Sequence, residues 1–130
     1  MNEETFFQSD QITPADSDVE IVEFSAEPYM DRGRVKINFR LSFFQNPPNA
    51  AISLLGEQGE EIASVDLVNI SHPENEITLH TPKPLSIKAK YQLELTLFDL
   101  EEREARPDEK GDVKLATHKL SSKRITFTLQ

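Results

Sequence analysis

The segment Arg34–Phe44 alternates apolar and polar side chains, and this pattern constrains the fold more than any other feature of the sequence. Its apolar members are Val35, Ile37, Phe39, Leu41 and Phe43. A helix, at about 3.6 residues per turn, would scatter these side chains around its circumference, whereas a strand places all of them on one face. The segment therefore predicts a β-strand with one buried face.

Other segments repeat or approximate this period of two. Lys90–Phe98 and Lys123–Leu129 repeat it clearly, and four weaker strands are predicted at Val19–Ala26, Ala50–Leu55, Glu61–Val68 and Glu76–Thr81. In the first of these the apolar phase switches near Ile21 and Val22, as would be caused by a β-bulge or by a strand that crosses from one sheet to the other. The polar loop Gly56–Gly59 predicts a hairpin. Seven short strands separated by turn signals are typical of a two-sheet antiparallel sandwich.

One spacing sharpens this fold prediction. Leu85 precedes Tyr91 by six residues, and Tyr91 opens the alternation of the sixth strand. The spacing resembles the tyrosine corner of immunoglobulin-like and fibronectin type III domains, where the phenol bonds to backbone a few residues upstream. In this chain Ser86–Lys90 replaces the proline and glycine that are common in that family. The resemblance implies an immunoglobulin-like or fibronectin type III-like sandwich, with Leu85 and Tyr91 as structural residues, and it carries no functional residues.

The charge of the chain lies in two segments. Of the formal net charge of −9, residues 1–18 contribute −5 and residues 99–112 contribute −4, so the rest of the chain is neutral. Such acidity argues against nucleic acid or an anionic membrane as a partner, since both require clustered Lys and Arg. The chain has no cysteine, which excludes disulfides, a thiol nucleophile and cysteine-rich metal sites. No secretory signal or membrane-spanning apolar run is evident, so a cytoplasmic location is expected.

The same distribution of charge suggests the domain organisation. We expect residues 1–17 to be a disordered acidic tail, with Phe6 and Phe7 ordered only on binding, and residues 18–130 to be one sandwich domain. A long acidic loop is expected at 99–122, with a helical turn or two before Pro107 as an option. Loops of this length are usually functional or disordered. It would share one end of the sandwich with residues 45–49 and 69–75.

Candidate partner-binding residues follow from this loop arrangement. Rigid aromatic and proline side chains lie beside an acidic loop at one end of the sandwich, and this combination predicts a partner-binding surface. The candidate residues are Phe44, Pro47, Pro48, His72, Asp99, Glu101, Glu102 and Glu104. A competing interpretation, which we favour, is that Phe44 and Tyr29 cap the two open ends of the core. Pro28, Tyr29 and Met30 form a further apolar patch in the first loop.

Little in the sequence points to chemistry. The three histidines have no metal-ligand spacing, no nucleophile elbow or phosphate-binding loop is present, and Asp66 is expected to face solvent. We therefore expect no catalytic residue, metal or cofactor. The leading hypothesis is a non-catalytic protein–protein interaction or assembly module, including self-association through an edge strand such as the first or the last. The alternative is a small-ligand module that binds calcium or carbohydrate through the loops at the long-loop end.

Overall fold

Seven antiparallel strands in two sheets form the part of the chain described by the computed structural model, residues 19–104 and 113–129. The all-β sandwich predicted from the alternation is thus confirmed. In chain order the strands are β1 (Ile21–Pro28), β2 (Arg34–Leu41), β3 (Asn49–Leu55), β4 (Glu61–Leu67), β5 (Glu74–His80), β6 (Lys90–Glu104) and β7 (Val113–Thr128). The predicted tail, residues 1–17, lies outside the described residues.

The two sheets have the orders β1-β2-β5 and β4-β3-β6-β7. The fourth strand pairs with the third, whereas in immunoglobulin constant domains it lies in the sheet of the first, second and fifth strands. The first and last strands both lie at sheet edges, as the self-association hypothesis requires. Edge strands present unpaired backbone N–H and C=O groups, so they are the positions at which another strand can add.

The core lies between the inward faces of β2, β3 and β6. Val35, Ile37 and Leu93 have no exposed surface at all, and Leu95 and Leu97 are equally buried. Each large apolar side chain that is buried in this way contributes about 1.5–3 kcal/mol relative to exposure. The strict alternation in β2 and β6 therefore reflects one face in the core and one in solvent.

The predicted change of phase in β1 is a bulge. Ile21 pairs with Leu41 and Glu23 pairs with Arg40, so Val22 is the extra residue on the β1 side. Val22 is 44% exposed, whereas Phe24 packs against the core. The bulge thus moves one apolar residue out of the sandwich and returns the following ones to it.

The second strand ends earlier than its alternation predicts. It stops at Leu41 rather than at Phe44, and the last contact with the β1 segment is at Ser42. The N–H of Ser42 donates to the Glu20 carbonyl at 2.8 Å, and the N–H of Glu20 donates to Ser42 Oγ at 2.8 Å. Phe43 is 82% exposed, so the prediction that it continues the buried face is wrong.

The expected long loop at 99–122 is largely strand, and this prediction is also wrong. β6 continues to Glu104 and β7 begins at Val113, with a register shift between Leu97 and Phe98. At this shift Leu120 is an extra residue in β7. The apolar alternation of β7 therefore changes phase at Leu120, and for this reason the strand could not be predicted from the sequence. Residues 99–104 are not helical, and residues 105–112 lie outside the described part of the chain.

The paired segments 99–104 and 113–118 form a two-stranded extension, which we call the arm. The last residue of β6 that pairs with β3 is Phe98, opposite Asn49. Beyond it, β6 and β7 continue for six residue pairs, from Asp99 opposite His118 to Glu104 opposite Val113. At roughly 3.3 Å per residue, the arm extends about 20 Å past the end of β3.

Loops meet at each end of the sandwich, and the loops at 45–49 and 69–75 share one end as predicted. Residues 42–48 and 68–73 lie at the end from which the arm extends, the arm end, where the N–H of Ile70 donates to the Pro48 carbonyl. Residues 29–33, 56–60 and 81–89 lie at the opposite end, the Met30 end, where the N–H of Leu85 donates to the Arg32 carbonyl. The tyrosine corner also lies there, since Ser86 N–H donates to Tyr91 Oη at 2.7 Å.

Candidate functional site

Asn49 connects the three segments that meet at the arm end. It is 6% exposed, and its Nδ2 donates to the carbonyl of Phe98 at 3.3 Å while its Oδ1 accepts from the N–H of Asn69 at 2.9 Å. A buried side-chain amide whose N–H donor and oxygen acceptor are both hydrogen-bonded holds the loops that it contacts in one arrangement. Asn49 therefore fixes the 68–73 loop against the base of the arm. The sequence analysis did not identify this residue, since a lone Asn after two prolines gives no distinct signal.

The predicted candidates in the loop before β3 have different environments. Phe44 packs against the core, which fits the capping interpretation, and Pro48 is fully buried. Pro48 offers no surface to a partner, so its assignment needs correction, and Phe44 is only partly exposed. Pro47 is exposed, and so is His72 in the neighbouring loop. These last two remain available for contact at the loops of the arm end.

The predicted acidic candidates lie on the arm instead of in a loop. Asp99, Glu101, Glu102 and Glu104 all belong to β6, with Asp99 half-buried beside the body of the sandwich. Among the residues that the structure describes, β7 is the only strand that pairs with β6 beyond Phe98. One edge of an acidic strand is therefore free of any described partner strand.

Apolar side chains are exposed around the base of the arm. Phe43 is 82% exposed, Val68 is 67% exposed and Leu100 is 47% exposed. Isolated exposed apolar residues are ordinary, but groups of them at one end of a domain indicate a contact surface. The exposure of Val68 and Leu100 was not predicted from the sequence. Their exposure depends on where β4 ends and on how β6 continues past β3, neither of which the alternation reports.

The Met30 end carries a second apolar surface. Met30 is fully exposed and Ile87 is 54% exposed. Both side chains, together with Pro28 and Tyr29, line a cleft of about 410 Å³ that reaches Leu129. We call these five residues the Met30 patch. Tyr29 is half-buried, and its ring lies 4.1 Å from the Arg34 guanidinium carbon, so the predicted patch at 28–30 is extended by Ile87.

The outer face of the three-stranded sheet is polar. Arg40 of β2 pairs with Glu23 of β1 at 3.2 Å, and Lys36 pairs with Glu27 at 3.3 Å. The hydrogen bond and the charge of Arg40 hold the pKa of Glu23 below its usual range. Beside this pair lies an open groove of about 350 Å³, whose remaining polar lining includes Glu74 and Glu76.

The residues that could support catalysis or metal binding do not converge in the described part of the chain. His72, His80 and His118 are all exposed, and Asp66 faces solvent as predicted. No group of three or more His, Cys, Asp or Glu side chains within residues 19–104 and 113–129 has the geometry of a metal site. The same residues contain no helix of the length and apolarity needed to cross a membrane.

Sequence comparisons identify no relatives. No protein-family model matches the chain, and no curated protein matches it.

Solved structures do resemble it. The β-glucuronidase of Bifidobacterium dentium complexed with coumarin-3-O-glucuronide superposes with a TM-score of 0.51 at 16% identity, over 86% of this chain and 18% of that one. The β-D-glucuronidase of Dictyoglomus thermophilum gives 0.49 at 15% identity, over 85% of this chain and 15% of that one. The β-glucuronidase of Ruminococcus gnavus in complex with D-glucuronic acid gives a TM-score of 0.48 at 12% identity, over 85% of this chain and 16% of that one.

This chain therefore spans less than a fifth of the length of those enzymes. At such low identity the likeness concerns the fold alone, because one sandwich architecture is used for many unrelated functions. The comparisons show that the chain has a β-sandwich fold that also occurs within larger glycosidases.

Proposed function

We propose that the domain is a non-catalytic protein–protein interaction module whose binding surface is the arm end. The observation that carries this proposal is the arm itself, a two-stranded extension of six residue pairs beyond the last pairing with β3. An isolated two-stranded ribbon is marginally stable in water at best. A third strand or a packed face from a partner would stabilise it.

The free edge of β6 defines the backbone part of this surface. Past Phe98, its N–H and C=O groups on the side of β3 have no partner strand in the described residues. The chain that precedes β3 cannot supply one, because Pro47 and Pro48 lack the N–H that a ladder needs. An extended segment of another protein can add there by β-augmentation.

Charge selects the partner. Residues 99–104 contain four acids and one arginine, so a second copy of the same strand in this position would be repelled. A basic extended segment would be attracted, and its association would be faster at low salt. Exposed Phe43, Val68 and Leu100 around the base of the arm would add apolar contact area.

The test compares the full chain with a chain that lacks the arm. Because Leu100 pairs with Thr117, residues 101–116 can be replaced by Asn-Gly, which closes antiparallel strands as a two-residue turn. The full chain should capture a protein from the native cell extract, and the shortened chain should lose it. Glu102→Lys combined with Glu104→Lys, which retains the arm, should lose it as well.

Met30→Ser is the matched control, since it removes an exposed apolar side chain at the other end of the sandwich. It should capture the same protein as the full chain. Circular dichroism of all four proteins would verify that each retains the sandwich. A partner that the shortened chain retains at undiminished yield would contradict the assignment of the arm end as the binding surface.

The second candidate function is small-ligand binding, of calcium or carbohydrate. The observation in its favour is the open groove on the three-stranded sheet, where Glu23, Glu74 and Glu76 supply carboxylates and Asn38 supplies an amide. Of the two ligands, the groove supports carbohydrate, because such groups bind sugar hydroxyls, whereas these acids do not form a group with the geometry of a metal site. Titration calorimetry with the uncharged sugar D-glucose, and with calcium chloride for the other ligand, tests this candidate. Heat that disappears in Glu74→Gln with Glu76→Gln would support it, and no heat with either compound would contradict it.

A further inference from the structure

The Met30 patch is a preformed surface on two loops that are bonded to each other. Arg32 Nη1 donates to the Leu85 carbonyl at 2.9 Å, and Leu85 N–H donates to the Arg32 carbonyl at 2.7 Å. The N–H of Lys88 donates to the Leu129 carbonyl at 2.8 Å, which joins the end of β7 to the same assembly. Met30 and Ile87 are thus exposed on a rigid support, and a ligand would not have to order these loops.

Two residues beside the patch have strained backbone conformations. Arg32 has a φ of 60° and Lys88 has a φ of 68°, both in the left-handed region. A side chain with a Cβ adopts this region at a cost of roughly 1 kcal/mol or more, which glycine avoids. Both strained residues are basic; Lys88 directly follows the exposed Ile87, and Arg32 lies two residues after the exposed Met30. Strain of this kind clusters at functional sites.

The loop that carries Ile87 is basic, whereas the 56–60 loop at the same end of the sandwich contains Glu57 and Glu60. Residues 81–90 contain three lysines, at positions 83, 88 and 90, and no acid. Lys88 directly follows the exposed Ile87, and Arg32 lines the cleft with Met30. Asp31, the acid nearest to Met30 in sequence, already forms an ion pair with Arg34 at 3.1 Å. The patch therefore suits a ligand that combines apolar side chains with negative charge.

The chain itself contains a segment of this chemistry. We propose that the N-terminal segment Glu3–Phe7 binds the Met30 patch of the same molecule, with Phe6 and Phe7 in the cleft and Glu3 and Glu4 beside Lys88. The segment reads Glu-Glu-Thr-Phe-Phe, and residues 1–18 contain no basic side chain. Aromatic side chains that enter a cleft are the usual anchors of such contacts, because they bury a large area with few rotatable bonds.

The length of the connecting chain permits this contact. The described chain begins with Val19 at the arm end, and β1 then runs the length of the sandwich to the Met30 end. Met30 lies 11 residues after Val19 and Phe7 lies 12 residues before it. A chain of 12 residues spans up to about 40 Å when extended, so a tail running back along β1 reaches the patch. A tether of this length gives an effective concentration in the millimolar range.

Along β1, the acids Glu23 and Glu27 are each paired with a basic residue of β2, and the strand on the other side of β1 is basic. β1 contacts β7 across the open side of the sandwich, and residues 113–128 contain three lysines and one arginine but no acid. In the arm, residues 99–104 contain four acids and one arginine, against one lysine in residues 113–118, so the arm repels the tail. Charge therefore directs the tail to the Met30 end, and the proposed function at the arm end does not depend on this contact.

The absence of cysteine from the chain permits a direct test with the full-length protein. Ser9→Cys provides a single site for a nitroxide spin label, and the label broadens the NMR signals of nearby amides. The amides of Met30 and Ile87 should lose intensity, whereas that of Val68 at the arm end should not. Adding Phe6→Ser with Phe7→Ser should restore the intensities, as should raising the salt concentration.

A second variant separates the contact from the stability of the fold. Lys88→Gly removes the cation and relieves the positive φ, so the domain should remain folded while the broadening at Met30 and Ile87 decreases. Equal broadening at Val68, or broadening that persists without both phenylalanines, would overturn the proposal. A further control mixes a ¹⁵N-labelled chain that carries no spin label with an unlabelled-nitrogen chain that carries it. If the ¹⁵N signals broaden as strongly in this mixture as in the single labelled chain, the contact is between molecules and the proposal is overturned.

Discussion

The backbone N–H of Ser86 donates to the phenolic oxygen of Tyr91 at 2.7 Å. This bond joins the loop that crosses between the two sheets to the start of β6. The Tyr91 side chain is buried, with only 6% of its surface exposed. Its ring also lies 5.7 Å from that of Phe127 on β7. One side chain thus connects a loop, the central strand of the larger sheet and its edge strand.

Tyr91→Phe should destabilise the domain by about 1 kcal/mol or more, because it removes this hydrogen bond and leaves the N–H of Ser86 without it. Urea denaturation monitored by circular dichroism measures the difference. Tyr29→Phe is the control, since the ring of Tyr29 would still contact Arg34, and it should change stability by less than about 0.5 kcal/mol. Equal stability of Tyr91→Phe and the parent would remove the tyrosine corner as a stabilising feature.

Asn49→Ala should cost about 2 kcal/mol, since both the carbonyl of Phe98 and the N–H of Asn69 lose a buried partner. The same denaturation experiment measures this. In Asn75→Ala the lost bond, to the carbonyl of His72, is exposed, so the change should be below about 0.5 kcal/mol. If the two variants lose the same free energy, Asn49 does not hold the arm end together.

Gly59→Ala should destabilise the β3–β4 hairpin by about 1 kcal/mol, because Gly59 has a φ of 84° that an alanine adopts only with strain. Gly33 lies outside that region, and the nearest heavy atom to an added Cβ would be 3.8 Å away, an ordinary contact. Gly33→Ala should therefore be tolerated. Thermal unfolding measures both variants, and the midpoint of Gly59→Ala should be lower than that of Gly33→Ala. A lower midpoint for Gly33→Ala would contradict this prediction.

The ion pair between Glu23 and Arg40 should give a pH-dependent contribution to stability. Arg40 lowers the pKa of Glu23, chiefly through the hydrogen bond and then through its charge. The contribution is present above the unfolded-state pKa of Glu and is lost as the pH falls through the lower, folded-state value. Both side chains are substantially exposed, at 68% and 40%, so the contribution should be small and weakened by salt.

The measurement is a carboxyl ¹³C titration of Glu23 by NMR. In Arg40→Gln the pKa of Glu23 should rise towards its ordinary value, and the stability difference between this variant and the parent should shrink in acid. A pKa of Glu23 that does not respond to the substitution would show that Arg40 is not the cause of the shift.

The sequence predicted the parts of the fold that depend on local alternation. β2 and β6 each place every second residue in the core because the backbone of a strand points successive side chains to opposite faces. The bulge near Val22 and the bond to Tyr91 could be predicted because each leaves a signal within a few residues. The predicted sharing of loops between the two ends of the sandwich followed from the antiparallel topology.

The candidate sites could be predicted only in part, because exposure depends on contacts between distant residues. Phe43 continues the alternation of β2 in the sequence, but the strand ends at Leu41 and the last bonds to the β1 segment are those of Ser42. The acidic residues 99–104 were predicted to lie in a loop, because strands contain few Glu and Asp. Their pairing with β7 makes them part of β6 instead. Ile87 joined the Met30 patch only through the bonds between two loops that are remote in sequence.

The sequence by itself determined an antiparallel sandwich, its core strands and its corner tyrosine, since these follow from a period of two and from one spacing. Only the tertiary structure decided where β6 and β7 end, which apolar residues remain exposed, and that Arg32 and Lys88 lie beside them. The physical reason is that alternation is a property of neighbouring residues, whereas strand ends, bulges and joined loops depend on hydrogen bonds between residues far apart in the chain.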